Sequence, residues 1–314
     1  MTRTAIVIGS FAPPTISDAV VVRRALAEGD RVHVLVTDDP VRPSIPPARA
    51  AVWLGEAFPE LRVHVVPGYS ELQAAERDAV ERAMLGDRSA DVRYGPLRSA
   101  DEVWADPIAE WAQLLAPARA GLCRRICLVG AESTGKTTLA RLLAERHGTE
   151  WAREYGRDYT VDKIANGTND RWDTHDFVAI AEAQQRIEDE AARRSGPLLF
   201  CDTDAFATAI WHERYLGRLS PEVEAIGRRR RCDLYVLAGT DAPYEEDGVR
   251  EGRAVRDWMH RRFAHELALR PEPWMLVSGS IEERIDAIEQ RIEQLGLLTP
   301  ASIYAPARFR PTAS

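Results

Sequence analysis

The chain has 314 residues, 45% of them hydrophobic and 29% charged, a balance that excludes a disordered or fibrous protein and makes two folded domains the expectation. With 41 basic against 49 acidic side chains the net charge is −8, which disfavours nucleic acid and anionic membrane surfaces and favours a small-molecule partner. No stretch approaches the roughly 20 apolar residues that span a bilayer, and MTRTAIVIGS runs into a strand pattern without a cleavable apolar core, so a cytoplasmic location is expected.

Thr4 to Ile8 is an apolar run, followed by the Gly/Pro turn Gly9-Ser10-Phe11-Ala12-Pro13-Pro14, an amphipathic stretch from Ser17 to Glu28 and a second apolar run from Arg31 to Thr37. This order predicts strand, loop, helix, strand, the βαβ unit of a parallel sheet. A helix over Ala48 to Phe58, a strand over Arg62 to Val66 and a helical pattern from Ser70 to Leu85 follow. Residues 86–108 are polar and broken by Gly95, Pro96 and Pro107, which predicts loop and linker ahead of a short helix at Ile108 to Leu115.

A second βαβ series begins at Arg124, so a domain boundary is expected near residues 117–123, with domains over 1–120 and 121–299. Its predicted elements are a strand at Ile126 to Val129, a helix from Lys136 to His147, a strand starting at Trp151, and a long helix from Asp173 to Arg194. After these come a strand at Leu198 to Cys201, a helix from Thr203 to Leu216, a strand at Leu234 to Ala238, a basic helix from Gly252 to Leu269, a strand at Trp274 to Ser278 and a closing helix from Ile281 to Leu295. Residues 300–314 are expected to be a flexible tail. Cys123, Cys127, Cys201 and Cys232 lie in or beside apolar runs without paired spacing and read as reduced core residues. Only Lys136 and Lys163 are lysines, so arginine supplies nearly all of the 41 basic residues and each lysine calls for a reason.

One reason is plain at Lys136. Gly130-Ala-Glu132-Ser133-Thr134-Gly135-Lys136-Thr137 matches G-x-x-x-x-G-K-[ST] after a predicted strand and before a predicted helix. Glycines there let backbone N–H groups curl around phosphates at a helix N-terminus. The ATP-binding set is therefore Gly130, Glu132, Ser133, Thr134, Gly135, Lys136, Thr137 and Thr138, with Lys136 reaching the terminal phosphates and the Thr137 hydroxyl binding Mg²⁺.

Leu198-Leu-Phe-Cys-Asp202-Thr-Asp204 is an apolar strand ending in acids, the place of a Mg²⁺-holding carboxylate; Asp202 takes that role and Asp204 faces the substrate, the alternative being a helix N-cap at Thr203 or Asp204. In Arg153-Glu154-Tyr155-Gly156-Arg157, Glu154 is a candidate to accept the proton of an attacking hydroxyl, with an ion pair to Arg153 or Arg157 as the alternative. Arg250, Arg253 and Arg256 share one helical face at spacing three and are candidates to stabilise charge during transfer, the alternative being exposed surface arginines. Arg228 to Arg231 reads as a solvated face, and Trp172, Trp211 and Trp258 as core residues on any of which an aromatic base could stack.

These segments resemble the NadR-type proteins, which join an NMN adenylyltransferase domain to a ribosylnicotinamide kinase domain. The likeness rests on GAESTGKTTL, WAREYGRDY, WDTHDFVAIAEAQ, CDTDAFAT and APYEEDGVR, in that order across Arg124 to Leu295. It implies an α/β protein of two domains, a nucleotidyltransferase-like Rossmann-type parallel sheet followed by a P-loop kinase parallel sheet. It also implies transfer of the ATP γ-phosphate to the 5′-hydroxyl of nicotinamide riboside. The amino-terminal half departs from the family pattern. Where G-x-F-x-P-x-H-x-G-H is expected, Thr15 and Asp18 replace both histidines, and Trp104 stands at the arginine of I-S-x-x-x-I-R. Both changes remove phosphate contacts, so the adenylyltransferase activity is expected to be lost. The helix-turn-helix that some members carry in front is not expected here. A kinase or ATPase for another nucleoside and a sensor of ATP and pyridine nucleotides are the competing readings, and a homo-oligomer stays open.

Overall fold

The computed structural model describes residues 2–86, 89–97, 101–168, 171–229, 232–241 and 253–305. The chain is an α/β protein that divides into two compact units, one of Met1–Leu122 with Pro300–Pro306 and one of Cys123–Thr299 with the remaining residues.

The first unit runs β1 (Thr4–Gly9), α1 (Ile16–Glu28), β2 (Arg31–Thr37), α2 (Pro47–Ala57), β3 (Arg62–Val66), α3 (Ala74–Leu85), β4 (Val92–Leu97), α4 (Asp101–Ala105) and α5 (Ala116–Leu122). Its sheet is parallel in the order β3-β2-β1-β4. The helix α1 starts where Thr15 and Asp18 form a reciprocal capping box, and it buries Ala19, Val22 and Ala25 at three-residue spacing. Two expectations are corrected between residues 86 and 115. The stretch read as loop and linker contains β4, paired with β1, and α4; the helix expected at Ile108 to Leu115 is only a 3₁₀ turn at Trp111–Gln113. The alternation in Val92-Arg93-Tyr94 is too short to stand out, and only the vacant edge of β1 makes it a strand.

The second unit runs β5 (Arg124–Val129), α6 (Lys136–Arg146), β6 (Trp151–Ala152), α7 (Tyr155–Ala165), α8 (Thr174–Arg194), β7 (Leu198–Asp202), α9 (Ala205–Leu216), α10 (Pro221–Arg228), β8 (Leu234–Ala238), α11 (Arg253–Ala268), β9 (Trp274–Val277) and α12 (Ile281–Gln294). Its parallel sheet has the order β6-β7-β5-β8-β9. The strands β5, β7 and β8 are nearly continuous apolar runs because both faces are covered, and Ile126, Leu128, Phe200 and Val236 pack with Leu139 and Leu143 of α6 and Ile285, Ile288 and Ile292 of α12. All four cysteines are buried and unbridged.

The expected flexible tail is corrected in its first part. Pro300–Tyr304 form α13, Ile303 and Tyr304 are buried, Tyr304 stacks on Trp104 at 4.1 Å between ring centroids, and its hydroxyl donates to the Val103 carbonyl. Residues 306–314 lie outside the described residues. No described helix is long and apolar enough to cross a membrane.

Candidate functional site

The loop 130–135 leaves the carboxyl end of β5 and enters α6. Gly130 (φ 136°) and Gly135 (φ 85°) take backbone conformations that a side chain resists, and a Cβ at Gly130 would also lie 3.1 Å from the Ala238 carbonyl. Ser133 adopts φ 57° without being glycine, a strained geometry of the kind found where backbone amides are aimed at a ligand. Thr134 is fully buried, and its hydroxyl donates to the Ala131 carbonyl at 2.8 Å, closing the loop from inside.

On the neighbouring strand, β7 ends at Asp202, paired in register with Leu128 of β5. Asp202 Oδ2 accepts from the Thr137 hydroxyl at 2.6 Å, while Oδ1 is buried with no hydrogen-bond partner among the described residues. Burial pushes the Asp202 carboxyl above the usual range, against the pull of Lys136 and the Thr137 bond. An orphaned carboxylate oxygen beside a threonine hydroxyl suits a Mg²⁺ ion carried by nucleotide phosphates. Among the described residues no group of three His, Cys, Asp or Glu side chains is placed to hold a metal ion.

Lys136 donates to the Ala131 carbonyl at 2.7 Å. Glu154 occupies the N-cap position of α7 but does not cap it. Burial raises its pKa, with Lys136 and Arg157 opposing and Asp202 and Glu132 adding to the rise. Arg153 pairs with Asp158 at 2.5 Å, so the ion pair with Arg153 considered for Glu154 is not formed. Lys136, Thr137, Glu154 and Asp202 thus gather at one end of the sheet, with Glu132 and Arg157 inside their electrostatic reach.

One expectation for a site residue is corrected here. Asp204 does not face this site: it caps α9 through the Ala207 amide at 3.0 Å and accepts from the Tyr235 hydroxyl at 2.7 Å, fully engaged in the interior. Arg256, a candidate to stabilise charge at the phosphates, is 5% exposed and donates to the Ser133 carbonyl of the loop at 3.1 Å, so the alternative of an exposed surface arginine is not met. Arg228 and Arg229 are exposed, as a solvated face requires, and Arg228 closes α10, a helix that the sequence reading omitted, where it pairs with Glu224 at 2.8 Å. Arg250, Arg230 and Arg231 lie outside the described residues, as does the side chain of Arg253. Thr138 is exposed on the first turn of α6.

Two residues were missed. Gln184 of α8 is 1% exposed; its Oε1 accepts from the Tyr155 amide at 2.9 Å and its Nε2 donates to the Thr203 carbonyl at 3.5 Å. It links the starts of the segments carrying Glu154 and Asp202, and Thr203 stands at φ 68°, a strained value for a β-branched residue. Arg284 of α12, fully buried, donates to the Thr134 carbonyl at 2.8 Å. Nothing local marks either one, since each sits at an ordinary inward position of an amphipathic helix.

Beyond Glu154, Tyr155 and Tyr159 lie 6.2 Å apart, Tyr159 and Trp172 6.2 Å, and Trp172 and Tyr215 4.8 Å between ring centroids. Lys163 stands over Trp172 at 4.9 Å and pairs with Asp176 at 3.1 Å, which accounts for the second lysine.

In the first unit, Thr15 and Asp18 are buried against each other, the Thr15 hydroxyl donating to Asp18 Oδ2 at 2.8 Å. Arg42 is buried between Asp39, 3.8 Å away, and Asp101, with its guanidinium over the Trp104 ring at 5.6 Å. Arg24 pairs with Glu28 at 3.0 Å, and Arg49 covers Trp53 at 4.8 Å.

The chain is 30% identical over 152 residues to the trifunctional NAD biosynthesis/regulator protein NadR of Escherichia coli (strain K12). It is 30% identical over 171 residues to the NadR protein of Salmonella typhimurium (strain LT2). These stretches cover 48% and 54% of this chain but only 37% and 38% of the relatives, so the match spans well under half of their length. Among solved structures, a NadR protein in complex with NR superposes with a TM-score of 0.71 at 20% identity, covering 94% of this chain and 97% of that one. A NadR protein in complex with NAD and AMP-PNP gives 0.65 at 19% identity, covering 94% and 97%. Both likenesses describe the fold. The AAA domain family matches residues 125–284, just over half of the chain, and it is to this family that the chain belongs.

Proposed function

We propose that the second unit transfers the γ-phosphate of ATP to the 5′-hydroxyl of nicotinamide riboside, giving NMN, and that the first unit has lost adenylyl transfer. The observation that carries the kinase reading is the meeting of Thr137 and Asp202 at 2.6 Å beneath the phosphate loop, with Lys136 and Glu154 inside the same electrostatic field. Similarity to NadR proteins, one of them solved with NR, supports the choice of acceptor.

In this reading the loop amides and Lys136 bind the phosphates and spread the charge that builds on the transferring group. Thr137 and Asp202 would hold Mg²⁺, which supplies charge neutralisation between the phosphates when bound. Glu154, whose pKa burial raises, accepts the proton of the acceptor hydroxyl in its ionised form, and the raised pKa makes it a stronger base than an ordinary carboxylate. The tilted rings of Tyr155, Tyr159, Trp172 and Tyr215, in a series that begins at the residue after Glu154, offer ring faces on which an aromatic base would stack. Arg250 and Arg253 remain candidates for charge stabilisation, with Arg256 acting through the loop backbone.

The loss of adenylyl transfer is inferred from the first unit, where Thr15 and Asp18 satisfy each other and Arg42 is tied to two carboxylates. The test is phosphorylation of a nucleoside panel with radiolabelled ATP. Nicotinamide riboside is expected to be the preferred acceptor, and Lys136→Ala to lower its turnover on the order of 10²-fold or more while staying folded. A different preferred nucleoside, or near-normal turnover by folded Lys136→Ala, overturns the reading.

A further inference from the structure

Two consecutive carbonyls of the phosphate loop each accept from a buried guanidinium on a different helix. Ser133 O takes Arg256 Nη2 of α11 at 3.1 Å, and Thr134 O takes Arg284 Nη1 of α12 at 2.8 Å. Arg256 and Arg284 are 5% and 2% exposed. Across a trans peptide the carbonyl and the next amide point in opposite directions. Holding the Ser133 and Thr134 carbonyls therefore sets the directions of the Thr134 and Gly135 amides, the donors that a phosphate nest requires.

The loop needs such support. Ser133 at φ 57° occupies a left-handed conformation that, for a residue with a Cβ, persists only where surroundings over-determine it. Arg284 is suited to this, because its planar fork is fixed at two further points: Nε donates to the Gly279 carbonyl at 3.0 Å and Nη2 to Asp241 Oδ1 at 2.9 Å. Asp241 is fixed in turn by the Gly279 amide at 2.6 Å. Both guanidiniums are thereby tied to loop carbonyls.

We propose that Arg284 and Arg256 are positioning residues that clamp the Ser133 and Thr134 carbonyls and so hold the loop amides in their phosphate-binding orientation. This rests on reading the loop as the ATP site and adds to it the dependence of phosphate affinity on two residues outside the loop.

The experiment compares full-length wild type with Arg284→Lys and Arg256→Lys by calorimetric titration of MgATP and, separately, of inorganic tripolyphosphate, alongside the ligand-free melting temperature. Lysine keeps the charge but cannot span the three acceptors of Arg284, and at Arg256 it lacks the planar fork whose Nη2 reaches the Ser133 carbonyl. For a charge-assisted bond to a carbonyl, the expected loss is about tenfold or more in affinity, equal for MgATP and tripolyphosphate. A residue that only supports the fold would lower the ligand-free melting temperature without that matched loss. Wild-type tripolyphosphate affinity in folded Arg284→Lys and Arg256→Lys, or a loss confined to MgATP, overturns the clamp. If Arg284→Lys does not fold, Arg256→Lys alone decides it. No readout uses an acceptor, so a wild type that binds MgATP but leaves nicotinamide riboside untouched overturns the proposed function while these affinities still decide the clamp.

Discussion

Glu154 and Asp202 show how a candidate site is set up at the cost of stability. Each is a carboxylate whose burial raises its pKa, and the cations around it only partly oppose that rise. For Glu154 the folded value stands above the unfolded one. Between the two, the folded protein holds a proton that the unfolded chain has released, so stability falls as pH rises through that window and stays reduced above it. Glu154→Gln removes the deficit. We therefore expect it to raise the melting temperature of the nucleotide-free protein at pH 7 by about 2 °C or more, with the gain shrinking as the pH is lowered into the ordinary carboxylate range. The same variant is expected to lose on the order of 10²-fold in kcat with little change in ATP affinity. Thermal denaturation across pH and steady-state kinetics check both halves, and a variant that is less stable at pH 7 with wild-type kcat would remove Glu154 from its role. Lys136 and the Thr137–Asp202 pair were legible from sequence because the loop pattern fixes their spacing. Gln184 and Arg284 were not, since long-range contacts and not neighbours in sequence give them their meaning.

At the scale of elements, the sequence marked helices with good caps and strands with long apolar runs. The Thr15–Asp18, Asp173–Asp176 and Ser280–Glu283 boxes all fall at observed helix starts. It failed at β4, α4, α5, α10 and α13, which are short, and at the 11-residue α7, which buries no apolar stripe that a helical period would reveal. In α13, Tyr304 is 4% exposed, stacks on Trp104 and donates to the Val103 carbonyl. We expect Tyr304→Ala to destabilise the first unit by about 3 kcal/mol and Tyr304→Phe, which keeps the stack, by about 1 kcal/mol. Hydrogen exchange resolved by peptide should show the loss of protection in the first unit, with the KM for ATP unchanged. Unaltered protection around Val103 and Trp104 in Tyr304→Ala would show that α13 contributes nothing to that unit.

For the whole molecule, the proposed pairing of an active kinase unit with an inactive adenylyltransferase-like unit has a direct consequence. The full chain is expected to convert nicotinamide riboside and ATP to NMN and to stop there. Adenylyl transfer requires cationic or donor groups on the triphosphate as pyrophosphate leaves. In the first unit Thr15 and Asp18 are closed on each other, Trp104 is stacked on Tyr304, and of the four candidate cations Arg24, Arg42 and Arg49 are engaged by Glu28, by Asp39 with Asp101, and by the Gly121 carbonyl, while Arg23 is exposed on α1. Chromatography of products from Lys136→Ala protein supplied with NMN and ATP checks this, and an NAD peak above the no-enzyme control would show that the first unit still works.

The sequence by itself determined the two α/β series, the phosphate loop and the acid at the end of β7, because each is a local pattern whose chemistry travels with its spacing. The tertiary structure alone decided that Asp204 turns inward to Tyr235, that Arg256 and Arg284 reach the loop backbone, and that the residues after Thr299 return to Trp104. Those outcomes depend on which buried donors and acceptors meet across long stretches of chain. An arginine at the surface and an arginine in the core are written with the same letter.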